Sequence, residues 1–281
     1  MQRLLIANRG EVASRVARTA RERGLRAIGV YSEADAELPY LADLDEAVAL
    51  AGTSPGETYL NVAALVEAAT RARADAVHPG YGFLAENAAF ASAVLQAGLT
   101  WVGPSPEAIE AMGSKVRAKE IARRAGVPVL SDAVLGPGAS PEEVTAAAQG
   151  VGYPLLVKAS AGGGGRGIRL VESPEGLLPA VASAGREAMA AFGDGTLFLE
   201  RYLPAPRHVE VQVFGDATGA VLHLGDRECS VQRRHQKLVE EAPAVLVPSA
   251  LRSAMAEAAV RLAGAIGYLG AGTCEFLATP D

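Results

Sequence analysis

Lys158 closes the apolar run Pro154-Leu155-Leu156-Val157-Lys158, and Gly162-Gly163-Gly164-Gly165-Arg166 follows a few residues later. A lysine in that place is costly unless its ammonium reaches water or an anion. Four consecutive glycines lose much chain entropy on folding, so a folded domain keeps them for a reason. A flexible linker is one such reason. Apolar runs flank the loop closely on both sides, however, which favours a strand–loop–strand flap whose bare N–H groups lie on phosphate oxygens, with Arg166 adding charge. A P-loop is excluded, because here the lysine precedes the glycines. The loop alone leaves open whose phosphate it holds.

Other groups add to this. Leu197-Phe198-Leu199-Glu200 is an apolar strand ending in a carboxylate that could take an amine or a ribose hydroxyl; taken alone, an ordinary strand end is the simpler account. Residues 226–237 read as a solvated charged loop, as a patch too short for nucleic acid, or as cations and amides for small anions such as phosphate or bicarbonate. Cys229 in that stretch lacks a composed Cys/His arrangement and reads as a small buried thiol. Glu275, between Cys274 and Phe276 in an apolar strand, must be paired, neutral or metal-bound. A strand-end glutamate suits Mg²⁺, which takes one or two carboxylates plus substrate phosphates. His78, His208, His223 and His235 show no zinc-like spacing.

The elements that must position these groups fall into two stretches. From 281 residues, roughly 150 per domain predicts about two domains. In the first stretch, strands over 4–7, 27–31, 48–50, 76–78 and 99–102 alternate with helices over 12–23, 61–71, 87–96 and 106–112, which predicts a parallel sheet covered on both faces. Its first strand runs into Asn8-Arg9-Gly10-Glu11, not the Gly-x-Gly-x-x-Gly of dinucleotide-binding sheets. In the second, helices over 114–125, 141 onward, 174–191 and 249–265 accompany strands over 154–158, 168–171, 197–199, from 209, 221–224 and 272–277. Val-Glu-Val-Gln-Val from Val209 has the period of a half-buried antiparallel strand.

Composition narrows the class. Hydrophobic residues make up 49%, enough for a sizeable core, and 26 basic against 32 acidic residues give a net charge of −6. That balance argues against coating nucleic acid or an anionic membrane. Two cysteines make no disulfide framework, and no apolar run reaches the roughly 18 residues of a membrane span. The expectation is a soluble cytoplasmic protein.

Taken in order, Ile6-Ala7-Asn8-Arg9-Gly10-Glu11, His78-Pro79-Gly80-Tyr81-Gly82-Phe83-Leu84, Lys158-Ala159-Ser160 with its glycines, Pro206-Arg207-His208-Val209-Glu210, and Arg227 through Glu241 before Ala242-Pro243 resemble biotin carboxylase, over essentially all 281 residues. That family is the ATP-grasp component of acetyl-CoA, propionyl-CoA and related acyl-CoA carboxylases, and of pyruvate carboxylase. The resemblance implies an α/β protein: a Rossmann-like pre-ATP-grasp domain over 1–113, then an incomplete ATP-grasp fold over 114–281, with an α+β flap subdomain over about 131–203 and the start of a C-terminal antiparallel sheet over 204–281. It implies a ligase that uses ATP, Mg²⁺ (or Mn²⁺) and bicarbonate to make carboxyphosphate and then carboxylates biotin on a carrier protein. Lys115 and Lys158 match phosphate-binding lysines, and Gly164 and Gly165 match the flap. Glu200, Arg201, Tyr202 and Leu203 match the adenine hinge, with Arg201 where lysine is frequent. His208, Gln232 and His235 match nucleotide contacts, Lys237 a bicarbonate ligand, and Glu275 a metal and ATP ligand.

The implied partners are a biotin carboxyl carrier and a carboxyltransferase, with neither nucleic acid nor membrane. The resemblance breaks off at Asp281. The family's second metal carboxylate, asparagine ligand, catalytic arginine, glutamate base and most of its homodimer surface have no match. The expectation is therefore a fragment without full turnover, whose uncovered last strand invites association. A urea- or pyruvate-carboxylase-type or other ATP-grasp ligase, and a non-catalytic ATP-binding remnant, are the alternatives.

Overall fold

Leu4, Leu5 and Ile6 are almost wholly enclosed, as the central strand of a parallel sheet requires when both faces are covered. They form β1 (Arg3–Ile6), followed by α1 (Gly10–Glu22), β2 (Arg26–Tyr31), β3 (Glu46–Ala49), α2 (Val62–Arg71), β4 (Ala76–His78), α3 (Ala88–Gln96), β5 (Thr100–Trp101) and α4 (Pro106–Gly113). The computed structural model describes residues 1–160, 168–233 and 236–279. The chain divides into two units, the first holding Met1–Ala118, Phe214–Val221 and Ile266–Ala271, and the second the remainder.

In the first unit the strand order is β3-β2-β1-β4-β5, all neighbours parallel. Asn61, Asn87 and Ser105 start α2, α3 and α4 by accepting a hydrogen bond from the backbone N–H three residues on, the ordinary N-cap geometry. One face of the sheet packs Leu5, Ile28, Val30 and Val77 against Leu65, Phe90 and Val94; the other packs Leu4 and Ile6 against Ala13, Ala17 and Ala20 of α1. In open parallel sheets ligands sit outside the strand ends where the order reverses, here between β1 and β4. Two loops meet beside that place. Buried Asn8 donates through Nδ2 to the carbonyls of Pro79 (2.8 Å) and Tyr81 (2.9 Å). Gly80 lies beside it at φ +69, and a Cβ there would stand 2.6 Å from Val12 Cγ1 and 2.7 Å from Asn8 Nδ2.

α5 (Lys115–Arg124) leads from the first unit into the second. Next come β6 (Asp132–Leu135), α6 (Pro141–Val151), β7 (Leu155–Ala159), β8 (Arg169–Val171), α7 (Leu177–Phe192) and β9 (Leu197–Arg201). The sheet order is β6-β9-β7-β8, antiparallel throughout. Leu155, Val157, Leu197 and Leu199 face α6 and α7. β6 was not anticipated: four residues between prolines carry too little period to register. It forms the edge that receives β9.

β10 (Arg207–Gly215), β11 (Val221–Arg233), β12 (Gln236–Glu241), α8 (Ser249–Ala265) and β13 (Gly270–Ala278) complete the chain, with sheet order β12-β11-β10-β13. In the charged stretch 226–237, the described residues 226–233 and 236–237 are strand. β11 runs through it to Arg233 and pairs antiparallel with β12. Its residues are polar because Gln232, Arg233 and Lys237 face outward or into a polar site, while Glu228 and Cys229 are buried. Ala258 and Leu262 of α8 pack against Ala122, Val127 and Phe276. Among the described residues no helix is long and apolar enough to cross a membrane.

Candidate functional site

In β7 and β9, Leu156 stands opposite Glu200 and Lys158 opposite Phe198. The side-chain period of 2 puts all four on one face, away from the apolar face that α6 and α7 cover. Lys158 and Glu200 are diagonal neighbours and form an ion pair through Oε2. Oε1 of the same carboxylate accepts from Lys119 Nζ of α5 at 2.6 Å. Lys119 also lies 3.4 Å from the Leu130 carbonyl, 3.8 Å from Asp132 and 4.8 Å from the centre of the Phe198 ring. Burial pushes the Glu200 carboxyl up, but the hydrogen bonds from Lys119 and Lys158 outweigh it and hold it below the usual range. Burial holds the Lys119 ammonium below the ordinary lysine value. Glu200 is thus no ordinary strand end.

The residues that follow are partly committed to the sheet. Arg201 N–H donates to Ser131 O (2.9 Å), Tyr202 N–H to Pro154 O (3.0 Å), and the Arg201 guanidinium to the Tyr153 carbonyl. The first two N–H groups therefore do not read a base edge here. Leu203 follows directly.

The second cluster lies on β10, β11, β12 and β13. Alternation along β10 sends Val209, Val211 and Val213 into the interior and His208, Glu210 and Gln212 to the opposite face. Gln232 Nε2 contacts His208 Nδ1 at 2.5 Å and donates to Cys229 O at 2.7 Å. The other ring nitrogen of His208, Nε2, faces Glu275 Oε1 at 3.5 Å. Lys237 bridges two carboxylates, contacting Glu210 and donating to Glu275 Oε1 at 2.8 Å. Arg227 closes the other side of Glu210 at 2.8 Å and reaches Gln212 Oε1 at 3.1 Å. Only 6% of the Glu210 side chain is exposed, and its two cations are what make a buried carboxylate tolerable there.

These groups can be tested for a metal. His208, Glu210 and Glu275 each offer a ligand atom within 4.8 Å of the others. Two carboxylates suit a hard cation such as Mg²⁺ or Mn²⁺, and the Lys237 ammonium already stands where positive charge is wanted. The donor set fits. Cys229 is wholly enclosed, with burial pushing its thiol up, and burial pushes Cys274 up to about 11. Neither is poised as a thiolate.

Of the residues singled out from sequence, the structure brings Lys158 to Glu200, and His208, Gln232, Lys237 and Glu275 to one another. Lys115 opens α5 in the first unit. Gly164, Gly165 and His235 lie outside the described residues. Sequence reasoning passed over Lys119, Glu210 and Arg227. Lys119 is one helical turn beyond Lys115, and Glu210 shares the period-2 face of His208; those spacings were the available signals.

Residues 1–109 match the family model for the biotin carboxylase N-terminal domain, and residues 114–281 that for the carbamoyl-phosphate synthase L chain ATP binding domain. The biotin carboxylase of Halalkalibacterium halodurans is 48% identical over 278 residues, covering 98% of this chain and 61% of that protein. The crystal structure of the biotin carboxylase–beta-gamma-ATP complex from Campylobacter jejuni superposes with TM-score 0.90 at 49% identity, over 98% of this chain and 62% of that one. The biotin carboxylase domain dimer of Hydrogenobacter thermophilus 2-oxoglutarate carboxylase, in complex with MgADP, ADP and bicarbonate, gives TM-score 0.89 at 46% identity, over 99% of this chain and 61% of that one. The fold and these matches define the class, an α/β ligase fold of the ATP-grasp type. Within it, the chain belongs to the biotin carboxylase family. It spans between 37% and 62% of the length of the curated relatives compared with it, and 25% of one matching structure, a Rhizobium etli pyruvate carboxylase.

Proposed function

We propose that this chain supplies the nucleotide-binding part of a biotin carboxylase, in which Mg·ATP and bicarbonate give carboxyphosphate and ADP, and the carboxyl group then passes to biotin on a carrier protein. The bicarbonate oxygen forms a bond to the γ-phosphorus as the bond to the β–γ bridging oxygen breaks, so positioning and charge do the catalysis. Lys158 and Lys115 bind phosphate oxygens, and Gly164 and Gly165 cover them. Glu200, Arg201, Tyr202 and Leu203 take the base and ribose. His208, Gln232 and His235 steady the nucleotide, and Lys237 draws in bicarbonate. Glu275, with Glu210 beside it, would hold Mg²⁺, which neutralises charge on the transferring phosphoryl group when bound. The domain division is 1–113 and 114–281, with the flap over about 131–203 and the remaining sheet over 204–281. The partners are a biotin carboxyl carrier and a carboxyltransferase.

The observation that carries this reading is that two ammonium groups, on Lys158 and Lys237, are held by the site's own carboxylates, Glu200, Glu210 and Glu275. Such cations are desolvated and aimed before any phosphate arrives. Calorimetric titration with Mg·ATP, with and without bicarbonate, tests it. Saturable binding is expected, weakened about tenfold or more in Lys158→Met, since one charge-assisted hydrogen bond is worth that much. Lys237→Met should keep the nucleotide affinity and lose any bicarbonate effect. Absence of Mg·ATP binding in the unaltered chain would overturn the reading.

A further inference from the structure

Glu200 holds two ammonium groups, one more than its charge neutralises. The two are not equivalent. Lys119 is anchored on several sides: Oε1 of Glu200 at 2.6 Å, the Leu130 carbonyl at 3.4 Å and the face of Phe198 at 4.8 Å. Its other neighbouring carboxylate, Asp132, is already engaged by Arg123, so Lys119 is not drawn away from Glu200. Among the described residues, Lys158 contacts one carboxylate oxygen, Oε2 of Glu200.

If Lys158 were the sole counter-ion of Glu200, moving its ammonium to a phosphate would strand a carboxylate whose side chain is 13% exposed. Leaving one member of a buried pair uncompensated is strongly unfavourable. Lys119 removes that obstacle, because Glu200 stays paired through Oε1 whatever Lys158 does. It also leaves the trio with a net positive charge, which favours an incoming anion. We propose that Lys119 is a positioning residue: by holding Glu200, it frees the Lys158 ammonium to leave that carboxylate for the phosphates of an arriving nucleoside triphosphate. The inference rests on the nucleotide-binding reading and assigns a role to a residue outside the phosphate-contacting set.

Calorimetric binding of Mg·AMPPNP, a non-hydrolysable triphosphate, and of adenosine, which has base and ribose but no phosphate, tests it on the whole chain. Lys119→Met should weaken Mg·AMPPNP about tenfold or more, the scale of one charge-assisted contact, and leave adenosine within about threefold. Lys119→Arg should restore the triphosphate affinity. Glu200→Gln placed on Lys119→Met should also restore it to near that of Glu200→Gln alone, because Lys158 then has no full charge to hold it. A merely structural lysine would depress both ligands together. Should the Met variant fail to fold, Lys119→Gln keeps a polar head without the charge and gives the same readout. Unchanged Mg·AMPPNP affinity in the uncharged variant, an equal loss for both ligands, or no recovery in the double variant would overturn the proposal. Failure of the unaltered chain to bind Mg·AMPPNP would instead overturn the nucleotide reading on which it stands.

Discussion

Asp35 shows how much one buried charge can fix. Its carboxylate, with 6% of the side chain exposed, takes both hydrogen bonds of the Arg9 guanidinium at 3.0 Å and the Tyr59 hydroxyl at 2.5 Å. Arg9 in turn lies over the Tyr59 and Phe83 rings, so this pair ties the ends of β1, β2 and β4 together. Burial pushes the Asp35 carboxyl up, but Tyr59 and Arg9 hold it below its ordinary value. A depressed folded pKa means its stabilisation is complete above the unfolded value of about 3.9 and disappears as pH falls through the lower folded value. Melting temperature followed downward from pH 5 should therefore drop, with part of that slope missing in Asp35→Asn. At pH 7 the variant should lose about 1–3 kcal/mol. Identical acid slopes in the two proteins would contradict this account.

Helices and strands differ in how openly the sequence declares them. α6 begins with Ser140-Pro141-Glu142-Glu143, and both halves of its capping box form: Ser140 Oγ accepts from Glu143 N at 3.2 Å, and Glu143 Oε2 accepts from Ser140 N at 2.8 Å. Ser140→Ala should cost about 1 kcal/mol, measured by chemical denaturation; a change below a few tenths would show that α6 is held by packing alone. Such caps, like Asn61 and Asn87, are legible because a short polar side chain precedes an apolar period. β6 and the β11–β12 hairpin were hidden for the opposite reason. An edge strand of four residues, and a strand whose outward face is charged, show too weak an alternation to be told from loop. At Gly215 the limit is tertiary: a Cβ would overlap the backbone carbonyl of Tyr268, a close approach that no local pattern announces.

At the scale of the whole molecule, the parallel sheet and the order of later elements were readable because strand and helix alternate with short connections. The site was readable in part. Lys158 and Glu275 stood out by residue type, and Glu200 and Lys237 only through the family resemblance, whereas Lys119 and Glu210 acquire meaning only when α5 meets β9 and when β10 lies beside β11 and β12. Charge pairing across elements is a product of packing, and one-dimensional spacing records it faintly. The central claim is that the stretch 114–281, not the strand ends of the parallel sheet, handles the nucleotide. Hydrogen–deuterium exchange with and without saturating Mg·AMPPNP tests it most directly. Slowed exchange over residues 197–203, 207–212 and 271–277, with residues 3–9 and 26–32 unchanged, is the expected result. Protection confined to 3–9 and 26–32, or none anywhere, would contradict it.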